Sequence, residues 1–125
     1  MAKEKKDTIL EVSDLTKEYK DGGSKIVALD NVSFTLDKGE SMAIIGPSGS
    51  GKTTLLEVMA GLNTPTSGEV IVDGVNVHVG SDNEISKFRN ETLGFVFQMM
   101  HLQDYFTALE NIKLPLVAAG LSKKE

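Results

Sequence analysis

The residues best suited to chemistry lie in one run, Gly46-Pro47-Ser48-Gly49-Ser50-Gly51-Lys52-Thr53. It fills the spacing G-x-x-x-x-G-K-[ST]. Glycines let backbone N–H groups turn inward and wrap a chain of phosphates where a Cβ would clash. A helix opening near Lys52 would aim its positive dipole end and free N–H groups at the same anion. Lys52 supplies a mobile point charge for β- and γ-phosphates. The Thr53 hydroxyl is placed to coordinate Mg²⁺, which prefers octahedral oxygen ligands shared with the phosphates. The nucleotide contacts expected here are Gly46, Pro47, Ser48, Gly49, Ser50, Gly51, Lys52, Thr53 and Thr54.

Such a cradle must be held between a buried strand and an amphipathic helix, and the sequence offers both. Met42 to Ile45 is continuously apolar, the mark of a strand covered on both faces in a parallel sheet. Leu55, Leu56, Met59 and Ala60 recur at helical spacing, and Asn63 and Pro65 stop that helix. Ahead of the loop, Ile9, Glu11, Leu15 and Tyr19 alternate with polar residues as one or two strands. Asp21-Gly22-Gly23-Ser24 is a turn. "IVALDNVSFTLDKGE" offers two more strands, with Val32, Phe34 and Leu36 on one face and a turn at Lys38-Gly39. After it, "SGEVIVDGVNVHV" reads as a hairpin turning at Asp73-Gly74. Ser81 with Glu84, and Thr107 with Glu110, form capping boxes for two helices. The first ends near Asn90 and the second is bent or broken before Pro115. Between them "LGFVF" reads as a second buried strand, and Ser122 could cap a further helix at the end. The expected fold is therefore α/β: a parallel core over residues 41–125 with an antiparallel annex over about 8–40.

Composition narrows the function classes. The 125 residues carry a net charge of −5, which argues against nucleic acid as a partner. Lys3, Lys5 and Lys6 are interrupted by Glu4 and Asp7 and read as a solvated tail. There is no cysteine, so no disulfide, thiolate nucleophile or cysteine-bound metal is available. No secretory leader is visible, and no apolar run approaches the roughly 20 residues that span a bilayer. A soluble chain that meets a membrane only through a partner is expected. His78 and His101 read as surface or loop positions, and Met99 and Met100 as packing or docking surface.

The loop alone leaves monophosphate kinases, GTPases and transport ATPases open. Taken together, "LEVSDLTKEY", "VALDNVSFTLDKGE", the loop, "LLEVMAGLNTPTSGEVIVDG", "LGFVFQ" and "TALENIKLPL" resemble the nucleotide-binding domain of ATP-binding cassette (ABC) transporters. The wording is most similar to the branch serving lipoprotein release and macrolide export. The resemblance implies an ATPase with ATP and Mg²⁺ as cofactors, on the cytoplasmic face of the membrane. It also implies transmembrane permease subunits as partners and a second nucleotide-binding subunit joined on ATP binding. By position it makes Tyr19 the aromatic that stacks on adenine and Gln98 the glutamine that reaches Mg²⁺ and the attacking water. Lys52 and Gln98 are then the catalytic candidates, Thr53 and Gln98 the metal ligands. Gln103 and Asp104 depart from the branch, which usually has Leu-Pro in that register.

The family's signature loop, its Asp-Glu strand end and its switch histidine do not occur in this sequence. The chain reads as the N-terminal half of such a domain. Alone, it is expected to bind nucleotide weakly, to hydrolyse none measurably and to be marginally stable. Two other readings stand beside the transporter ATPase. One is a nucleoside monophosphate kinase. The other is a catalytically incomplete nucleotide-binding fragment.

Overall fold

The computed structural model describes residues 7–99 and 101–120. The lysine tail, Met100 and the Ser122 cap lie outside the described residues. The chain divides into two compact units at Gly80/Ser81.

The first unit is built on a long hairpin. Strand β1 (Thr8–Asp21) and strand β2 (Ser24–Asp37) pair antiparallel from Thr8↔Asp37 to Asp21↔Ser24. Only Gly22 and Gly23 separate them, both at positive φ (51° and 94°), which a two-residue turn of this hand demands. The first arm, expected as one or two strands, and the second, expected as two, are each a single 14-residue strand. What looked like a break is a kink within β1: Asp14 has φ 48°, and the register shifts there against both neighbours. The main-chain N–H of Asp14 donates to Ser33 Oγ at 2.8 Å. Strand β3 (Ser67–Val72) lies on the other side of β1, and its hairpin mate β4 (Val75–Asn76) turns at Asp73-Gly74 as expected. Helix α1 (Lys52–Met59) follows the loop.

The sheet order is β2-β1-β3-β4, antiparallel throughout. Val12, Leu15, Leu29, Val70 and Val72 supply its buried residues, joined by Val77 just past β4 and by Leu55 and Val58 of α1. Leu56, expected on the buried face, points outward, and Val58 takes its place. The helix turns its i, i+3 pair toward the core, and a β-branched residue serves as well as leucine there.

The two stretches expected as buried parallel strands behave differently. Residues 42–45 and 93–97 join no ladder among the described residues. Ile45 is 90% exposed and Val96 wholly so. An apolar run extends and buries only where neighbours supply its hydrogen-bond partners. Within the described residues neither run has a strand paired beside it.

The second unit contains two capped helices. Helix α2 (Asp82–Thr92) opens on Ser81 and helix α3 (Ala108–Ala118) on Thr107, each with a complete reciprocal capping box. Pro115 sits inside α3 and does not end it. Its missing N–H forfeits one helical bond only, and the Ala119 N–H donates to the Pro115 carbonyl at 3.0 Å. Asn111 of α3 fastens the preceding loop: its Oδ1 accepts from the Gln103 N–H at 2.8 Å, and its Nδ2 donates to the carbonyls of Gln103, Phe106 and Thr107.

Candidate phosphate-binding site

The glycine-rich loop lies between residue 45 and the start of α1, and residues 46–50 are exposed. Gly49 (φ 79°) and Gly51 (φ 88°) adopt conformations that side chains resist. Gly51 is also crowded, since a Cβ there would stand 2.3 Å from the Ala28 carbonyl oxygen of β2. This is the junction at which the loop abuts the sheet. Gly46 has a different constraint: a Cβ would meet Ser50 Oγ at 2.7 Å. The Ser50 N–H closes a turn onto the Pro47 carbonyl at 3.3 Å, and the Leu55 N–H makes the first helical bond, to Gly51 at 2.8 Å.

No side chain caps α1, and no acidic residue lies in its first turn. The N–H groups of Lys52, Thr53 and Thr54 belong to the part of a helix that lacks intrahelical acceptors. They form a cluster of donors at the positive end of the helix. Lys52 folds back over the loop. Its Nζ donates to the carbonyls of Gly46 (2.9 Å) and Pro47 (2.6 Å) and approaches Ser50 Oγ at 3.4 Å. The ammonium therefore stands inside the curl of the backbone, held by neutral acceptors with no carboxylate among them. An anion offers it stronger, charge-assisted bonds. The Thr53 hydroxyl makes no hydrogen bond among the described residues. No cluster of three or more His, Asp or Glu among those residues could hold a metal. The loop's donor set thus fits Mg²⁺ as an ion ligated mainly by phosphate and water, with one hydroxyl from the loop.

Tyr19 lies near the far end of β1, 38% exposed. Lys17 Nζ stands 5.0 Å from its ring centroid and donates to the Thr64 carbonyl at 2.5 Å. Asn63 Nδ2 donates to Tyr19 Oη at 2.8 Å. Lys17 pairs across the ladder with Leu29, the residue beside the Gly51 junction. Sequence reasoning missed Lys17 and Asn63, because nothing in their spacing ties residue 63 to residue 19.

Gln98 belongs to the second unit, where it is exposed in a bend. Beside it Phe95 and Phe97 stack at 5.7 Å, and His101 meets Phe97 edge-on at 5.1 Å. His78, expected at the surface, is half-buried: its Nε2 bonds the Val58 carbonyl at 2.8 Å, tying the β3–β4 hairpin to α1. Burial lowers its pKa and the nearby Lys17 charge adds to that, while the Val58 bond opposes both. Its role is structural.

Comparison with known proteins places this geometry. The ABC transporter family model matches residues 29–125. The lipoprotein-releasing system ATP-binding protein LolD of Buchnera aphidicola subsp. Acyrthosiphon pisum is 47% identical over 94% of this chain and 51% of its own length. LolD of Legionella pneumophila (strain Lens) is 45% identical over 95% of this chain and 52% of its own. Among solved structures, a dimeric post-hydrolysis state of the ATP-binding cassette MJ0796 bound to ADP and Pi superposes with a TM-score of 0.85. It is 40% identical and covers 93% of this chain and 51% of that one. The chain spans about half the length of the curated relatives it matches. The α/β cassette class read from the sequence is also that of these structural neighbours. With the loop of residues 46–51 abutting β2 at Gly51 and leading into α1, and a family match over most of its length, the chain belongs to the ABC transporter family.

Proposed function

We propose that this chain is the nucleotide-binding part of an ABC transporter ATPase subunit of the lipoprotein-release type. ATP and Mg²⁺ are its cofactors, and transmembrane permease subunits and a second nucleotide-binding subunit are its partners. The observation that carries this reading is Lys52, whose ammonium is held by the carbonyls of Gly46 and Pro47 inside a loop that opens on uncapped N–H groups. The LolD relatives support the lipoprotein branch, and the dimeric cassettes support pairing of two subunits. No helix among the described residues is long and apolar enough to cross a membrane. The subunit docks, in this reading, on the cytoplasmic face.

In this reading the loop amides and Lys52 bind the phosphate chain, and the glycines keep the backbone close to it. Thr53 and Gln98 are the protein's ligands to the metal, which neutralises phosphate charge when bound. Tyr19 stacks on the base. Residues of about 8–40 form the β annex, to whose sheet the β3–β4 hairpin adds, and the remainder of 41–125 belongs to the core. The comparisons favour this over a monophosphate kinase, because the matching family model is that of ABC transporters and the similar solved structures are ATP-binding cassettes.

The test is titration calorimetry with Mg·ATP, with tripolyphosphate as competitor. Lys52→Ala should weaken both ligands about 10- to 100-fold, the range for a lost charge-assisted hydrogen bond. Equal affinity in the variant and the parent would overturn the assignment.

A further inference from the structure

Asn63 is bonded at both ends. Its main-chain N–H donates to the Glu57 carbonyl at 3.2 Å, closing the C-terminal end of α1 beside the Leu62 N–H, which donates to the same oxygen at 2.9 Å. Its side-chain amide donates to Tyr19 Oη at 2.8 Å and lies 3.5 Å from Glu57 Oε2. Lys17 grips the same ring from another side, over its face, while its ammonium is anchored on the Thr64 carbonyl. Two further bonds fasten this loop to β1. The Thr66 N–H donates to the Thr16 carbonyl at 2.8 Å, and the Glu18 N–H donates to Thr66 Oγ1 at 2.9 Å. Asn63 and Lys17 are half-buried and the ring is part-exposed. A phenol that needed only a hydrogen bond could take it from water. Here it is held by a side chain fixed to the helix end.

We infer that Asn63 and Lys17 are positioning residues that clamp the Tyr19 ring as a fixed platform for a nucleobase. Asn63 acts as a strut from the far end of the helix whose first turn faces the phosphates. The inference rests on the reading of Tyr19 as the base contact given above. Helix α1 spans about 12 Å at 1.5 Å per residue. The strut makes that rigid length the spacer between the phosphate donors and the ring. A pre-ordered ring spares the ligand the cost of ordering it. Lys17 takes part of one face through a cation–π contact, so a base would stack against what remains exposed.

The test uses the full chain with carbon-13-labelled tyrosine. There are two tyrosines, so Tyr105→Phe leaves the Tyr19 signal alone. Asn63→Leu and Lys17→Met should each shift the Tyr19 ring resonances and speed ring flipping. Each should raise the Kd for ATP about three- to tenfold, the value of one neutral hydrogen bond or cation–π contact, and leave that for tripolyphosphate unchanged. Tyr19→Phe, which leaves the helix end intact, should give the same ATP-only loss. Asn63→Leu should add nothing to it in the double variant.

An unmoved ring signal in Asn63→Leu, or equal losses for ATP and tripolyphosphate, would overturn the clamp. Tyr19→Ala binding ATP as tightly as the parent would remove the base contact itself, while the ring signal still reports whether the strut exists. Failure of the chain to bind ATP at millimolar concentration would overturn the platform together with the proposed function.

Discussion

Gly51 and Gly49 offer a matched pair in which only one variable changes. Both have φ near +80° to +90°, so an alanine at either position meets the same conformational penalty, about 1–2 kcal/mol for a left-handed residue. Around Gly49 a Cβ meets nothing within 4 Å. At Gly51 it lands 2.3 Å from the Ala28 carbonyl oxygen and 3.3 Å from Leu29 Cδ2. The first contact is with backbone, which cannot rotate away, so the loop or β2 must shift. Overpacking of this kind adds about 1–3 kcal/mol. The expected losses are about 1–2 kcal/mol for Gly49→Ala and about 2–5 for Gly51→Ala. With a urea slope of about 1.5 kcal/mol/M, the midpoint should fall by about 1 M and about 2 M or more, respectively. Equilibrium unfolding in urea followed by far-UV circular dichroism reads both. Should Gly51→Ala be unfolded without urea while Gly49→Ala keeps its transition, the ordering still holds. Equal midpoints would show that the loop does not abut the sheet at Ala28, and the placement of the cradle against β2 would be wrong.

Three further outcomes are expected. His78 is held below the ordinary 6.5, chiefly by burial, so between that lowered value and 6.5 the unfolded chain binds more protons than the folded one. Stability should therefore be complete above 6.5 and fall as pH drops through this window, and His78→Gln should flatten the Tm profile there. The Glu84 and Glu110 carboxylates are drawn below their ordinary 4.5 by bonds from Ser81 and Thr107, so the helical stability they confer is present above 4.5 and lost as pH falls through the lowered values. Ser81→Ala and Thr107→Ala should cut helix content at neutral pH and remove part of that acid dependence, as followed by circular dichroism. Gly68 (φ 83°) lies so close to the β1 kink that a Cβ would meet the Asp14 carbonyl oxygen at 2.4 Å. Gly68→Ala should thus destabilise the first unit by about 2–5 kcal/mol in the same urea assay.

Local chemistry was the part of this molecule legible in its sequence. Both two-residue turns, both capping boxes and the helix after the loop depend on residues a few positions apart, and each formed where the residue types required it. The loop motif was legible for the same reason. The sequence reading went astray where structure depends on distant partners. Residues 42–45 and 93–97 have the composition of buried strands, yet burial is a property of the neighbours as much as of the run. Whether Leu56 or Val58 faces inward is settled by the sheet under α1. His78 and Asn63 look like surface polar residues until the fold brings each to an acceptor 20 or 44 positions away. The site divides in the same way: its phosphate end could be read from the motif, and the fastening of its aromatic end could not.

The sheet order has a kinetic consequence. Strand β1 shares one edge with β2 across a two-residue turn and the other with β3, on the order of fifty residues further along. The hairpin closes a very short loop and should assemble first, with β3 docking late and carrying α1 into place. Detachment should retrace that path. A partial opening that peels β3 away would loosen the end of α1 and the strut that follows it, and leave the hairpin zipped with the curl of glycines still against Ala28. Amide exchange should then show the β1–β3 ladder losing protection before the β1–β2 ladder. A ligand gripping the first turn of α1 would slow the earlier loss far more than the later one.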